Sequence, residues 1–164
     1  MFKTTYALLD LLETVDTVKG RKKLQKTVHM LQIRKNPFNF DYQYHFYGPY
    51  SSELQIEVNS LVKEGFVIET KMDETYVYQI TEKGKTFKKN LESQFKESVN
   101  VEHELSQLLN RQSTSLLEMA STYAYLLDNG YEPSEAKNKC KELKPHLIKE
   151  MDSAIKFYNE HIAN

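Results

Sequence analysis

The sequence predicts a mostly helical α+β protein with a small antiparallel β-sheet: a winged helix-turn-helix-like module over residues 1–96, then a C-terminal helical region over residues 97–164. Three observations predict it. The first part reads as helix, helix, aromatic strand, helix, hairpin, helix. Two β-rich runs flank a short polar tip. Beyond about residue 97 only helical patterns remain.

In residues 4–14, Tyr6, Leu8, Leu9, Leu11 and Leu12 recur at helical spacing, and Thr4 or Thr5 is placed to cap the start. Gly20 separates this helix from RKKLQKTVHMLQIRK, where Leu24, Val28 and Leu31 form one apolar face and the other face is strongly basic. PFNFDYQYHFY alternates. Phe38, Phe40, Tyr42, Tyr44 and Phe46 fall on one side of a predicted strand, the third member of the sheet, ended by Gly48 and Pro49. Ser51 or Ser52 caps a third helix through Val62, with Ser52 and Gln55 spaced as a capping box and Gly65 as its stop.

FVIET and TYVYQI then flank KMDE as a short hairpin, and Thr81 caps a fourth helix carrying Phe87, Leu91 and Phe95 on one side. The remainder reads as VEHELSQLLNRQ, STSLLEMASTYAYLLDNG, PSEAKNKCKEL and PHLIKEMDSAIKFYNEHI, punctuated by Gly130, Pro133 and Pro145. The segment 116–127 is apolar around much of its circumference. It needs cover on more than one side, from the last two helices or from a second copy, and a homodimer through the C-terminal helices is the expectation.

The bulk numbers exclude several classes. With 22 Lys and Arg against 23 Asp and Glu, the net charge of -1 gives no global attraction to nucleic acid or membrane. The 164 residues, 40% of them hydrophobic and 27% charged, suffice for a real core. No run approaches the roughly 20 apolar residues of a membrane span. A single cysteine, Cys140, excludes an internal disulfide and a thiolate-rich zinc site, which suits a cytoplasmic protein. There is no paired acid and base, nucleophile elbow, phosphate-cradling glycine loop or metal-ligand spacing, so the chain is read as non-enzymatic, without metal or cofactor.

Three stretches, GRKKLQKTVHMLQ, FYGPYSSELQIEVNSLVKEGFV and LLEMASTYAYLLDNGYEPSEAKNKCKELKPHL, resemble the bacterial YwgA proteins and together span most of the chain. The first two also resemble the Panacea antitoxin domain, in which a Lys-Leu-x-Lys helix precedes a Tyr-Gly-Pro turn; Lys23, Leu24 and Lys26 and then Tyr47, Gly48 and Pro49 match. The YwgA likeness implies a shared fold and no catalytic residue.

Charge is locally biased. Lys19, Arg21, Lys22, Lys23, Lys26, Arg34 and Lys35 lie between Asp16 and Asp41 with no acidic residue among them. Clustered cations of this kind engage phosphates or an acidic protein, or are simply a solvated helix face. The third helix is the usual reader of a winged helix, yet Glu53, Glu57 and Glu64 oppose a phosphate backbone there. Arg21, Lys22, Lys23 and Lys26, with Ser51, Ser52, Gln55 and Asn59, are therefore the candidate polyanion contacts. Two functions follow as expectations: a regulator binding duplex DNA through the basic second helix, or an antitoxin-like or adaptor module binding an acidic protein.

Overall fold

The computed structural model describes residues 2–163. Helix α1 (Lys3–Val15), strand β1 (Val18–Lys19) and helix α2 (Arg21–Ile33) open the chain. Helix α1 begins without a side-chain cap, and neither Thr4 nor Thr5 serves as one. The Thr5 hydroxyl instead donates to Glu57 Oε1 at 2.7 Å, tying α1 to helix α3 (Ser52–Lys63). The cap of α3 is Ser51, whose buried Oγ accepts from the Leu54 amide at 3.2 Å; Ser52 is the first helical residue and the Ser52–Gln55 capping box is not the device used.

The hairpin forms as β4 (Val67–Met72) and β5 (Thr75–Ile80), antiparallel, with Val67 opposite Ile80 and Met72 opposite Thr75. Its third strand differs from expectation. The sheet order is β1-β5-β4, with Val18 opposite Tyr78, so the short strand before α2 occupies the place assigned to the aromatic run.

Within that run only Gln43–His45 is a strand, β2, and it pairs with Gly48–Tyr50, β3, in a separate hairpin. Residues 38–42 make no ladder, and at Phe40 a side chain of α2 stands in for a neighbouring strand. The Gln32 amide accepts from Phe40 N and donates to Phe40 O, both at 2.9 Å. Gln25 does the same for Ser51, again at 2.9 Å in each direction. A Gln carboxamide carries the donor and acceptor of a peptide group, so it satisfies one strand residue as a neighbouring strand would. The alternation still sorts side chains: Phe38 is buried, Phe40, Tyr42 and Tyr44 half-buried, and the residues between them exposed. It fails at Phe46, which is 83% exposed.

Helix α4 (Glu82–Glu92) follows Thr81, whose Oγ1 accepts from Gly84 N at 3.0 Å. Phe95 lies past its end and packs edge-on against Tyr6, with ring centroids 5.4 Å apart. The C-terminal part is α5 (His103–Arg111), α6 (Thr114–Asp128), α7 (Pro133–Leu143), a 3-10 segment Pro145–Glu150, α8 (Met151–Phe157) and a π-helical turn Tyr158–Ile162. One predicted helix is thus three pieces, and Leu147 departs from helical φ/ψ.

A single hydrophobic cluster joins Leu8 and Leu12 of α1, Val28 and Leu31 of α2, Leu117 and Tyr123 of α6 and Phe157 of α8. Helix α6 lies against α2 on one side and α7 and α8 on others, so the chain itself covers its apolar circumference. Buried Asp10 ties the parts together: its carboxylate pairs with the Lys88 ammonium of α4 at 3.1 Å and is hydrogen-bonded to His103 Nε2 of α5 at 3.0 Å.

Helix α2 departs most from its predicted role. Every residue from Leu24 to Leu31 is buried, so the expected solvated basic face does not exist there. His29 lies in this stretch with its ring 4.7 Å from that of Tyr42 and no hydrogen-bond partner for Nδ1. Burial, assisted by the charge of Lys26, pushes its pKa down to about 3 from the ordinary 6.5. Between those values the unfolded chain binds a proton that the folded chain excludes, so stability falls with decreasing pH by up to ~1.4 kcal/mol per pH unit. Urea midpoints of His29→Leu measured from pH 7 to pH 4 should fall less steeply than those of the wild type. An unchanged slope would clear His29 of this role.

Candidate functional site

The residues that converge lie at the N-terminus of α2. Its first turn, Arg21-Lys22-Lys23, contains no acidic residue, and Gly20 is its N-cap. Cations there oppose the helix dipole, at a cost of about 0.3–1 kcal/mol each, and run against ordinary helix design. Facing them is the β2–β3 turn, Phe46-Tyr47, followed by Gly48 at φ +94°. A side chain at Gly48 would meet Thr122 Oγ1 at 2.9 Å, so glycine both makes the turn and lets it lie on α6.

Between turn and helix is a cleft of about 400 Å³, lined among others by Arg21, Lys22, Lys26, His45, Tyr47 and Gln55. At its rim Lys22 Nζ sits 3.6 Å above the Tyr47 ring and 4.0 Å from Glu118 Oε1. The Arg21 guanidinium stacks 3.8 Å above Tyr76, donates from Nε to Tyr78 Oη at 3.1 Å and lies 3.5 Å from Glu69. Phe46 and Tyr47 are exposed beside these cations.

Beneath the turn lies a buried polar cluster. Lys26 donates to Pro49 O at 2.7 Å, and Lys144, just before Pro145, donates to Phe46 O at 2.6 Å. Two ammonium groups thus hold one carbonyl of the turn and one of the strand that follows it. Glu118 of α6 supplies the carboxylate, its Oε2 3.1 Å from Lys144 Nζ as an ion pair without well-directed hydrogen-bond geometry. Lys26 and Lys144 are each 1% exposed and Glu118 4%. Desolvation pushes the Lys26 pKa down to about 8, an effect that Glu118 partly offsets. Burial, together with the Glu118 charge, pushes the Tyr44 hydroxyl up to about 12.

Of the predicted contacts, Arg21, Lys22, Lys26 and Gln55 meet at this cleft. Lys26 does so as buried floor instead of exposed contact. Lys23 turns away to donate to Asn110 O at 2.9 Å, and Ser51 is fully buried. Ser52 and Asn59 are exposed on the outer side of α3, where Gln55 Nε2 donates to Asn59 Oδ1 at 2.9 Å. Arg34, the sixth of the basic run, pairs with Glu102 at 2.7 Å. The run is therefore partly neutralised by carboxylates distant in sequence, while Lys19, Arg21, Lys22 and Lys35 stay exposed. Phe46, Glu118 and Lys144 were not among the predicted contacts; a charge at Glu118 inside the apolar run LLEMASTYAYLL is the signal that marks it.

Cys140 is fully buried, and burial pushes its thiol up to about 11, which disfavours the reactive thiolate. Among the described residues no group of three or more His, Cys, Asp or Glu side chains is placed to hold a metal ion. No described helix is long and apolar enough to cross a membrane.

No family model matches the chain. It is 30% identical over 167 aligned residues to a Bacillus subtilis (strain 168) protein carrying the name Uncharacterized protein YwgA, an alignment that covers 98% of this chain and 97% of that relative. Identity at that level over nearly the whole of both chains places this protein in the YwgA family.

Proposed function

We propose that the protein is a non-enzymatic, cytoplasmic interaction module that grips an acidic segment of a partner protein in the cleft between α2 and the β2–β3 turn. One observation carries the reading: Phe46 and Tyr47 stand exposed beside Arg21 and Lys22 around one concave opening. Aromatic and Arg side chains at a pocket rim are the residue types that dominate protein interfaces, and local cations select an acidic partner. The burial of Lys26 and the pairing of Arg21 and Arg34 with carboxylates reduce the case for a basic helix lying along phosphates.

Affinity purification from the native host after nuclease treatment tests this. The wild type should retain a stoichiometric protein, and a chain carrying both Phe46→Ala and Lys22→Glu should lose it. Retention unaffected by those substitutions, or recovery of no protein, overturns the proposal.

Duplex DNA is the second reading, supported by α3. Glu53 accepts from the Asp41 amide at 2.6 Å and Glu57 from Thr5 at 2.7 Å, so two of the carboxylates that weighed against base reading are engaged within the chain. Ser52, Ile56, Asn59, Ser60 and Lys63 remain exposed, and side chains of these kinds can contact base edges. The order α1, β1, α2, α3, β4, β5 with β1-β5-β4 pairing supports a winged-helix variant, in which residues 34–51 replace the short helix–helix turn. A salt titration decides: no affinity for duplex DNA at low salt ends this reading.

A further inference from the structure

The floor of the cleft holds more positive than negative charge. Lys26 and Lys144 bring two ammonium groups against the single carboxylate of Glu118, all three almost completely buried, and Lys22 adds a third cation 4.0 Å from the same carboxylate. An uncompensated buried cation is among the most costly arrangements a fold can keep. Lys144 is held by Glu118 at 3.1 Å and by Phe46 O at 2.6 Å. Lys26 has Pro49 O as its hydrogen-bond acceptor, the residue lines the cleft, and its Nζ lies 3.7 Å from the Cβ position of Gly48, another lining residue. An ammonium group has three N–H donors, so a second acceptor can be taken without breaking the first bond.

The surroundings narrow what that acceptor can be. Glu69 already answers Arg21, while Lys22 rests on the face of Tyr47 and reaches Glu118 only at 4.0 Å. The other residues lining the cleft are cationic or aromatic, apart from Gln25, Gly48 and Gln55, none of which carries a negative charge, and the carboxamide of Gln25 is engaged by Ser51 in both directions. A neutral ligand would leave the charge surplus standing, and a cation would add to it. With Lys26 protonated, the ligand that removes it is an anion.

We infer that the cleft is an oxyanion site, in which a carboxylate or phosphate group enters between Arg21, Lys22 and the β2–β3 turn and is met from below by Lys26. This builds on the cleft assigned above and names the chemistry that fills it: the acidic side chain of the partner, or a phosphoryl group in its place. The charge-assisted hydrogen bonds it makes are the strong kind, and the cleft is wide enough for the side chain that carries it.

The full chain titrated with inorganic phosphate, and separately with acetate, at constant ionic strength should show saturable NMR shifts centred on Arg21, Lys22, Lys26 and Gly48. Lys26→Met leaves Lys144 and Glu118 as a balanced pair; it should keep the fold and weaken anion binding by about tenfold or more. A lysine serving only to hold Pro49 O predicts the reverse, a less stable protein with unchanged anion shifts. No saturable shift with either anion, or equal binding by Lys26→Met, overturns the inference. Should Lys26→Met not fold, Lys22→Gln is read instead, with weakening of about threefold expected and unchanged binding overturning it. Preference for acetate points to a side-chain carboxylate, and preference for phosphate to a phosphoryl group. Phe46→Ala should release the partner protein while still binding the anion, so failure of the interaction reading and failure of this one are told apart.

Discussion

Glu118→Gln should lower the unfolding free energy by roughly 3 kcal/mol, because it keeps the size of the side chain and removes the one carboxylate between two buried ammonium groups. Breaking a buried pair in this way leaves charge with neither water nor counter-ion, and the β2–β3 turn held by Lys26 and Lys144 becomes its weakest point. Urea unfolding at pH 7 measures the loss. The same experiment at pH 10 should show a smaller difference between variant and wild type, since Lys26, with its pKa already near 8, sheds its proton and relieves the imbalance. A loss under 1 kcal/mol at pH 7 would mean that the cluster is hydrated and that its charges are not in conflict.

Gly84→Ala should be at least as damaging. Ala is normally favoured over Gly inside a helix by about 1 kcal/mol, so an open site would gain stability. Here a Cβ would lie 2.1 Å from the Phe66 carbonyl oxygen and 2.9 Å from Ile80 Cγ1. The carbonyl cannot withdraw easily, because Phe66 O accepts from Thr81 N at 3.0 Å and thereby closes the base of the hairpin. A loss of about 3 kcal/mol or more in chemical denaturation is expected, from overpacking against backbone. Gly130→Ala is the control: nothing stands within 4 Å of its Cβ position, and only the positive φ of +94° is strained, so the loss should stay near 1 kcal/mol. Equal losses at the two sites would remove the steric explanation for Gly84.

That glycine shows how far the sequence could be read. The run ITEKG marked Thr81 as a cap and placed Gly three residues on, and local pattern was enough, because an N-cap is a short-range device. The hairpin, α1 and helices α5 to α7 were legible for the same reason: periodicity reports which face of a segment is buried. The aromatic run was misread because alternation specifies side-chain facing and says nothing about which groups satisfy the backbone. Here those groups are Gln25 and Gln32 of a helix, and no spacing rule announces them. Lys26 was misread likewise. A Lys with an apolar stem reads as exposed until the carboxylate that accompanies it inward is known, and Glu118 lies 92 positions beyond Lys26 in the chain. The candidate site was therefore half visible, its α2 cations evident and Lys144, the counter-ion and the aromatic rim hidden.

The paired tethers under the β2–β3 turn bear on how this chain can be divided. One comes from α2 and the other from the segment before Pro145, so the turn belongs to both halves of the sequence at once. A polypeptide cut near residue 96 would carry the turn and Lys26 but neither Lys144 nor Glu118, and would open α2, now covered by α5 and α6, to water. The N-terminal module is thus not a portable unit. Exchange between relatives, gene fusion or truncation should yield usable protein only when both segments travel together.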